Sequence, residues 1–112
     1  MLIYKILRAS EWADLRAHGK TTGAPVDVAD GFVHFSTTAQ VRETAAKHFA
    51  GDVGLMLLAV ESEGLGAALK WEPSRGGALF PHLYRLLTLD EIKWAKPLPF
   101  TDGQHQFPQG LT

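Results

Sequence analysis

Apolar positions along the chain follow several patterns, and each pattern predicts a different kind of element. Leu2 to Leu7 alternates loosely between apolar and polar positions, which predicts a first strand. Gly54 to Val60 is a continuous apolar run, as in a strand that is buried on both faces. Val41, Ala45 and Phe49 recur every four positions. They predict a helix whose apolar side faces the core.

Residues that favour helix ends mark where the predicted helices begin and stop. Ser10 is a good N-cap for a first helix, and Gly19 is a good C-terminal stop. Thr37 and Gln40 have the spacing of a capping box that opens a second helix. Gly51 then ends that helix. Both predicted helices lie in the N-terminal half of the chain.

The rest of the chain alternates between β-rich runs and turn-forming composition. Three further β-rich runs are predicted strands, namely Gly31–Ser36, His82–Leu87 and Ile92–Leu98. Segments rich in Gly, Pro, Asp or Gln are predicted to be irregular, namely Thr21–Asp30, Glu72–Gly77 and the tail from about residue 101 to residue 112. Leu65 to Trp71 fits either a strand or a helical turn. The fold class is therefore α+β, with two helices and antiparallel or mixed sheets.

Length and composition place this chain among single folded domains. Its 112 residues suit one domain over 1–112, and 46% hydrophobic with 21% charged residues is an ordinary soluble balance. The absence of cysteine excludes disulfides, cysteine nucleophiles and thiolate metal sites. A net charge of -1 without a basic stripe disfavours nucleic-acid binding. No signal peptide or membrane-length apolar run occurs, so we expect a cytoplasmic protein without a membrane partner.

The first candidate for chemistry is a polar corner at His34, Ser36 and Thr37. His34 and Ser36 share one face of the predicted strand, and Thr37 opens the following helix, whose free N–H groups suit an anion. These side chains would bind the hydroxyl groups of a sugar. The alternative is a buried histidine beside a helix cap, which spacing alone favours. Asp27 and Asp30, which flank this segment, are expected to bond local N–H groups in turns.

A second candidate lies further along the chain. His82 and Tyr84 project from one face of a predicted strand, where they suit acid–base chemistry or substrate orientation. Glu72 and Arg75 belong to the neighbouring loop, as a functional pair or as an ordinary surface pair. The five histidines lack the spacing of a metal site. We therefore expect neither a metal nor a required cofactor.

Sequence blocks from both candidates occur together in a recognisable combination. The blocks are DVADGFVHFSTTAQV at 27–41, WE at 71–72 and FPHLY at 80–84. Their combination resembles the bacterial family catalogued as domain of unknown function 952, and the likeness runs along nearly the whole chain. That family is similar in fold to the ADP-ribosyltransferase superfamily, which binds NAD in a cleft between two small antiparallel sheets.

This resemblance implies a role for the first candidate. His34 would contact the ribose of NAD, with Ser36 or Thr37 as the hydroxyl partner. The glutamate that many of these transferases carry on a late strand has no obvious counterpart here. If the protein is an enzyme, His82 or Glu72 would assist ADP-ribosyl or phosphoryl transfer, and Tyr84 and Arg75 would bind the ligand. NAD is then a substrate or ligand.

Three functions remain open from the sequence. They are a nucleotide-handling enzyme, a non-catalytic metabolite-binding module, and a structural or interaction protein with core histidines. The oligomeric state is left open.

Overall fold

The longest strands form one antiparallel sheet. The computed structural model describes residues 1–111, apart from the side chain of Arg75. In chain order the described strands and helices are β1 (Leu2–Leu7), α1 (Ala9–His18), β2 (Lys20–Thr21), α2 (Pro25–Asp30), β3 (Val33–His34), α3 (Thr38–His48), β4 (Leu55–Glu61), β5 (Leu69–Pro73), β6 (Leu79–Leu83), β7 (Leu87–Thr88), β8 (Ile92–Leu98), β9 (Phe100–Thr101) and β10 (Gln104–His105). The long sheet has the order β1–β4–β8.

A second antiparallel sheet has the order β3–β6–β5 and carries both candidate histidines. Its centre is β6, which pairs with β3 on one side and with all of β5 on the other. The chain passes from this sheet to the first one at Ser36, which forms an isolated bridge with Tyr4 of β1. Short ladders also join β2 to β7 and β9 to β10.

Burial on both faces of the long sheet explains its apolar sequence. One face packs against α3 through residues such as Tyr4 and Leu57. The opposite face packs against the second sheet through Ile3 and Val60. Leu58, also on that face, meets α1. Because β4 lies between its two partner strands and is covered on both sides, it has almost no polar position.

Several predicted elements are confirmed. Strands β1 and β8 have the predicted bounds, and β4 and α3 lie where the apolar run and the four-residue spacing placed them. Val41 and Ala45 are buried as expected. The coarse α+β assignment is likewise confirmed. The radius of gyration is 13.1 Å, close to the value of about 13 Å expected for a domain of this size.

The predicted loop over 21–30 is wrong, because it contains a third described helix, α2. Pro25 occupies the first helical turn, and the Asp27 side chain accepts a hydrogen bond from the N–H of Ala24. Gly31 ends the helix with a φ of +86°. Six residues are too few to show a helical period, so the apolar pattern does not reveal this helix.

The first helix begins differently from the prediction. It starts at Ala9 with Arg8 as N-cap, so Ser10 is not the cap. The N–H of Arg8 donates instead to the Glu11 side chain at 2.8 Å. Glu11, the third residue of the helix, thus bonds back to the N-cap backbone, which is the glutamate half of a capping box. Helix α3 likewise ends at His48, before Gly51.

Three predicted boundaries in the C-terminal half are also wrong. Glu72 is not a loop residue, because it lies on β5 opposite Phe80 of β6. The strand predicted over His82–Leu87 breaks after Leu83, and only Leu87 and Thr88 resume pairing. The tail forms the short hairpin β9–β10 rather than being wholly irregular. Pro73 at the end of β5 made that edge strand resemble a loop, since proline is confined to strand ends and sheet edges.

Candidate functional site

His34 and His82 lie side by side at the centre of the second sheet. The two residues face one another in the antiparallel register of β3 and β6. Residues paired in this way project from the same face of a sheet. Their ring centroids are accordingly 5.3 Å apart, with the ring planes at 70°. Two histidines that are 48 positions apart in the sequence therefore share one site.

Two carboxylates flank the imidazole of His34. Its Nδ1 lies 2.5 Å from Oδ1 of Asp27, and because a carboxylate only accepts, this nitrogen carries the proton and donates it. Its Nε2 lies 3.1 Å from Oδ2 of Asp30. Asp27 is buried, whereas the side chain of Asp30 is 47% exposed. The first contact therefore fixes the ring, and the second lies where solvent or a ligand has access.

Asp27 is held by more than its contact with the imidazole. The backbone N–H of His34 donates to Oδ1 at 3.0 Å, while Oδ2 accepts from Lys5 Nζ and from the N–H of Ala24, both at 2.7 Å. Burial alone would raise the pKa of Asp27. The hydrogen bond from His34 and the charge of Lys5 outweigh burial and lower this pKa to about 2. Asp27 is therefore ionised at neutral pH.

Lys5 connects the first sheet to this site. It lies on β1, and its ammonium group is buried against Asp27. Burial lowers the pKa of Lys5, and the charge of Asp27 opposes that change. The ion pair thus satisfies two charged groups that are both taken out of water.

The second histidine has its own carboxylate. Nδ1 of His82 donates to Oε1 of Glu72 at 2.8 Å, and the hydroxyl of Tyr84 donates to the same oxygen at 2.7 Å. Both bonds lower the pKa of Glu72, and the bond from Tyr84 has the larger effect. The bond between Tyr84 and Glu72 also raises the pKa of Tyr84. None of the described side chains bonds Nε2 of His82.

Phe32 packs against the aromatic groups of the site. Its ring stacks on His82 with centroids 4.2 Å apart, and it lies 4.5 Å from the ring of His34 and 5.1 Å from that of Tyr84. Phe32 and Tyr84 also line a neighbouring cavity of about 270 Å³, together with Val28, Arg85 and Leu86. A flat group bound in this cavity would contact the same rings that hold the histidines.

Ser36 is not part of this cluster. Its side chain is buried, and its Oγ lies 2.9 Å from Oγ1 of Thr44 on α3. The predicted alternation fails because β3 ends at His34 and the chain then crosses to β1. Ser36 therefore joins the two sheets and α3, and its place on the face of His34 was predicted wrongly.

Thr37 and Arg75 are the other ligand-binding residues predicted from the sequence. Thr37 is the N-cap of α3, and its N–H donates to the Gln40 side chain at 3.0 Å. Gln40 also donates to the carbonyl of Leu79 at 2.8 Å, so this helix end is bonded within the protein. The side chain of Arg75 lies outside the described residues. The roles predicted for Thr37 and Arg75 stay predictions.

Sequence reasoning missed Asp27, Lys5 and Phe32. Asp27 was expected to bond only local N–H groups in a turn, but it also reaches the imidazole of His34 and the ammonium of Lys5. A signal was present in the sequence. Lys5 interrupts an otherwise apolar strand, and a buried lysine requires a carboxylate partner. The identity of that partner is not visible until the chain is folded.

The described residues contain neither a candidate metal centre nor a candidate membrane-spanning helix. Among the described residues, no group of three or more His, Asp or Glu side chains has the arrangement needed for a metal ion. No described helix is long and apolar enough to cross a membrane. The arrangement itself consists of two imidazoles, each with Nδ1 anchored on a carboxylate, beside a tyrosine hydroxyl. Such groups donate, accept and transfer protons.

Comparison with known proteins gives both a family and a fold. The chain is 53% identical to protein CC0527 from Caulobacter crescentus, and its X-ray structure superposes with a TM-score of 0.91 over 95% of this chain and 94% of that chain. The solution NMR structure of the same protein is 52% identical and has a TM-score of 0.84, over 93% of this chain and 90% of that chain. No curated protein matches the sequence.

The family match agrees with the resemblance seen in the sequence. Residues 6–95 match the family described as "Protein of unknown function (DUF952)". These findings do not bear on the likeness to ADP-ribosyltransferases, which stays a prediction. The matched span includes both histidines and their three carboxylate partners, and the chain belongs to this family of unknown function.

Proposed function

We propose that the protein binds NAD, ADP-ribose or a related nucleotide at His34, His82 and Tyr84, and that it transfers an ADP-ribosyl or phosphoryl group there. One observation carries this proposal, namely the two adjacent imidazoles whose Nδ1 atoms are each held by a carboxylate. A carboxylate in this position fixes the orientation of the ring, so that its Nε2 points to where a substrate binds. Nε2 of His82 has no bond from a described side chain, and Nε2 of His34 faces the half-exposed carboxylate of Asp30.

His34 is the ribose-binding group in this proposal. Its Nε2 faces Asp30, whose side chain is 47% exposed, so a ligand that takes its place displaces a solvated group rather than a buried one. A ribose hydroxyl that replaces this carboxylate would bond the imidazole while Asp27 continues to hold Nδ1. The cavity beside Phe32 and Tyr84 then receives the flat heterocycle that is joined to the sugar.

His82 and Glu72 supply the chemistry. In ADP-ribosyl transfer the bond between ribose C1 and the nicotinamide nitrogen breaks, and nicotinamide leaves with the electron pair. An acceptor hydroxyl then bonds to C1 and gives its proton to Nε2 of His82. Glu72 is ionised and its Oε1 carries both observed bonds, so Oε2 is the oxygen that stabilises developing positive charge at C1.

Thermal unfolding with NAD, ADP-ribose and nicotinamide tests the binding step. A ligand at a hundred times its Kd adds about 2.7 kcal/mol to the free energy of unfolding. That corresponds to a rise in Tm of roughly 10 °C or more for a domain of this size. His34→Ala should abolish the rise. His18→Ala is the matched control, because His18 lies exposed on α1 and its ring forms a hydrogen bond only to the Asp14 carbonyl among the described residues.

Release of nicotinamide from NAD tests the transfer step separately. We expect release by the wild-type protein and a loss of at least a hundredfold in His82→Gln and in Glu72→Gln, the size usual for removing a general base or a group that stabilises charge in the transition state. Binding without release favours the binding module instead, and the low exposure of His82, 6% of its side chain, favours that second candidate. If none of the three ligands raises Tm, the nucleotide proposal fails.

A further inference from the structure

A second cavity lies on the opposite part of the fold, between α3 and the C-terminal hairpin. Its volume is about 390 Å³, larger than the cavity beside Phe32. Helix α3 and the turn after it form one wall with Arg42, Ala46 and Gly51, and the hairpin region forms the other with Phe100, His105 and Phe107. This size falls in the range of small-molecule sites.

Hydrogen bonds hold the hairpin wall in place. Nε2 of His105 donates to the carbonyl of Asp52 at 3.0 Å, which ties the hairpin to the turn after α3. The N–H of Gln106 donates to the carbonyl of Pro99 at 2.7 Å. The ring of Phe100 packs edge-on against His105 with centroids 4.9 Å apart, and Phe107 packs on the core. The cavity is therefore formed before any ligand binds.

Arg42 provides the charge of this cavity. Its guanidinium lies over the ring of Phe107 at 5.1 Å, and none of the described carboxylates pairs with it. Arg8 and Arg85, by contrast, each have a carboxylate partner. A guanidinium that is stacked on an aromatic ring and lacks an acidic partner is suited to bind a carboxylate through two parallel (bidentate) hydrogen bonds.

We propose that this cavity binds a small organic carboxylate with an aromatic body. The carboxylate pairs with Arg42, and the aromatic ring packs between Phe100 and Phe107, against the methyl group of Ala46 and the backbone of Gly51. The site is independent of the histidine cluster. Its hairpin wall also lies beyond residue 95, where the family match ends.

Titration of the ¹⁵N-labelled chain with phenylacetate tests the proposal by amide NMR. We expect saturable shifts in α3 and in residues 100–107, with no saturable shifts at residues 32–34 or 82–84. Phenylacetamide has the same shape without the charge, and should bind about tenfold more weakly or worse. Equal binding of the acid and the amide, or shifts confined to the histidine cluster, would overturn the proposal.

Two pairs of variants test the charge of Arg42 and the free volume of the cavity separately. Arg42→Gln should weaken binding of phenylacetate at least tenfold, whereas Arg16→Gln should not change it. Arg16 is the matched control because it also lies over an aromatic ring, Trp12, but lines no part of this cavity. Ala46→Leu should fill the cavity and abolish binding, and Ala39→Leu on the same helix should leave it intact. Unchanged binding in Arg42→Gln or Ala46→Leu would refute the site.

Discussion

The buried carboxylate of Asp27 accepts bonds from two directions. One oxygen accepts from the backbone and the ring of His34, and the other accepts from Lys5 and from the N–H of Ala24, the N-cap of α2. Each oxygen of a carboxylate has room for two such bonds, so this acceptor is fully used. The orientation of the His34 ring therefore depends on a residue that lies in neither strand of the histidine pair.

Removing the charge of Asp27 tests this dependence. We expect Asp27→Asn to lower the free energy of unfolding by about 3–5 kcal/mol, because the Lys5 ammonium stays buried without a counterion. Asp30→Asn is the matched control. Asp30 also contacts His34, but it is half exposed, and such pairs contribute about 1 kcal/mol or less. Urea unfolding at pH 7 measures both variants, and equal losses would contradict the assigned role.

The sequence predicts that the two histidines and Tyr84 belong to the site, but it does not predict which residues they bond. Alternation along a strand is a local property, so the shared face of His82 and Tyr84 follows from spacing alone. The bond between His34 and Asp27 depends on how α2 packs against β3, and no local pattern encodes that packing. Ser36 shows the opposite case, because the strand that should align it with His34 ends first.

Helices and strands also differ in how well the sequence predicts them. Long elements with a continuous apolar face, such as β4 and α3, are predicted because many positions repeat one pattern. The six-residue helix α2 is not predicted, and β5 is predicted only as one of two alternatives for residues 65–71, since their apolar faces are short and Pro and Gly lie nearby. These two elements nevertheless supply the carboxylates Asp27 and Glu72, so the least predictable elements hold the histidines in position.

The turn before α2 offers a test at this scale. Gly23 and Gly31 flank the helix, and both have a positive φ, +97° and +86°. Alanine costs about 1–2 kcal/mol at such a position. A Cβ at Gly23 would also lie 2.1 Å from Oδ2 of Asp27, whereas one at Gly31 would have nothing within 4 Å.

We therefore expect Gly23→Ala to destabilise the protein more than Gly31→Ala does. We also expect only Gly23→Ala to change the NMR signals of the His34 ring, because only that substitution displaces the carboxylate that holds Nδ1. Urea unfolding and imidazole NMR measure the two effects. Equal destabilisation, or ring signals that are unchanged in both variants, would show that the close approach at Gly23 is relieved elsewhere.

At the scale of the whole molecule, the site depends on contact between the two larger sheets. Apolar packing joins them through Ile3, Val60 and Leu83. The bridge between Tyr4 and Ser36 continues the contact in the backbone. The ion pair of Lys5 with Asp27 lies at the same junction. Anything that separates the sheets therefore also releases His34, so the geometry of the site and the global stability are coupled.

Acid should weaken this coupling in a defined pH range. The pKa of Asp27 is about 2 in the folded protein, against an ordinary value of 3.8. A carboxylate with a lowered pKa stabilises the fold above its unfolded pKa, and that contribution is lost as the pH falls through the folded value. Protonation of Asp27 should thus lower the free energy of unfolding by about 2 kcal/mol between about pH 4 and pH 2.

Glu91 acts in the same direction, because the hydrogen bond from Arg85 lowers its pKa to about 2. Urea unfolding midpoints measured from neutral to acidic pH should therefore fall steeply below about pH 4 in the wild-type protein. Asp27→Asn and Glu91→Gln should each show a shallower fall than the wild type, since each lacks one of the carboxylates that must be protonated. If Asp27→Asn kept the full wild-type slope, the buried carboxylate would not be the group that links the fold to acid. The junction of the two sheets would then owe its stability to apolar packing and to the backbone bridge between Tyr4 and Ser36, and not to the charge of Asp27.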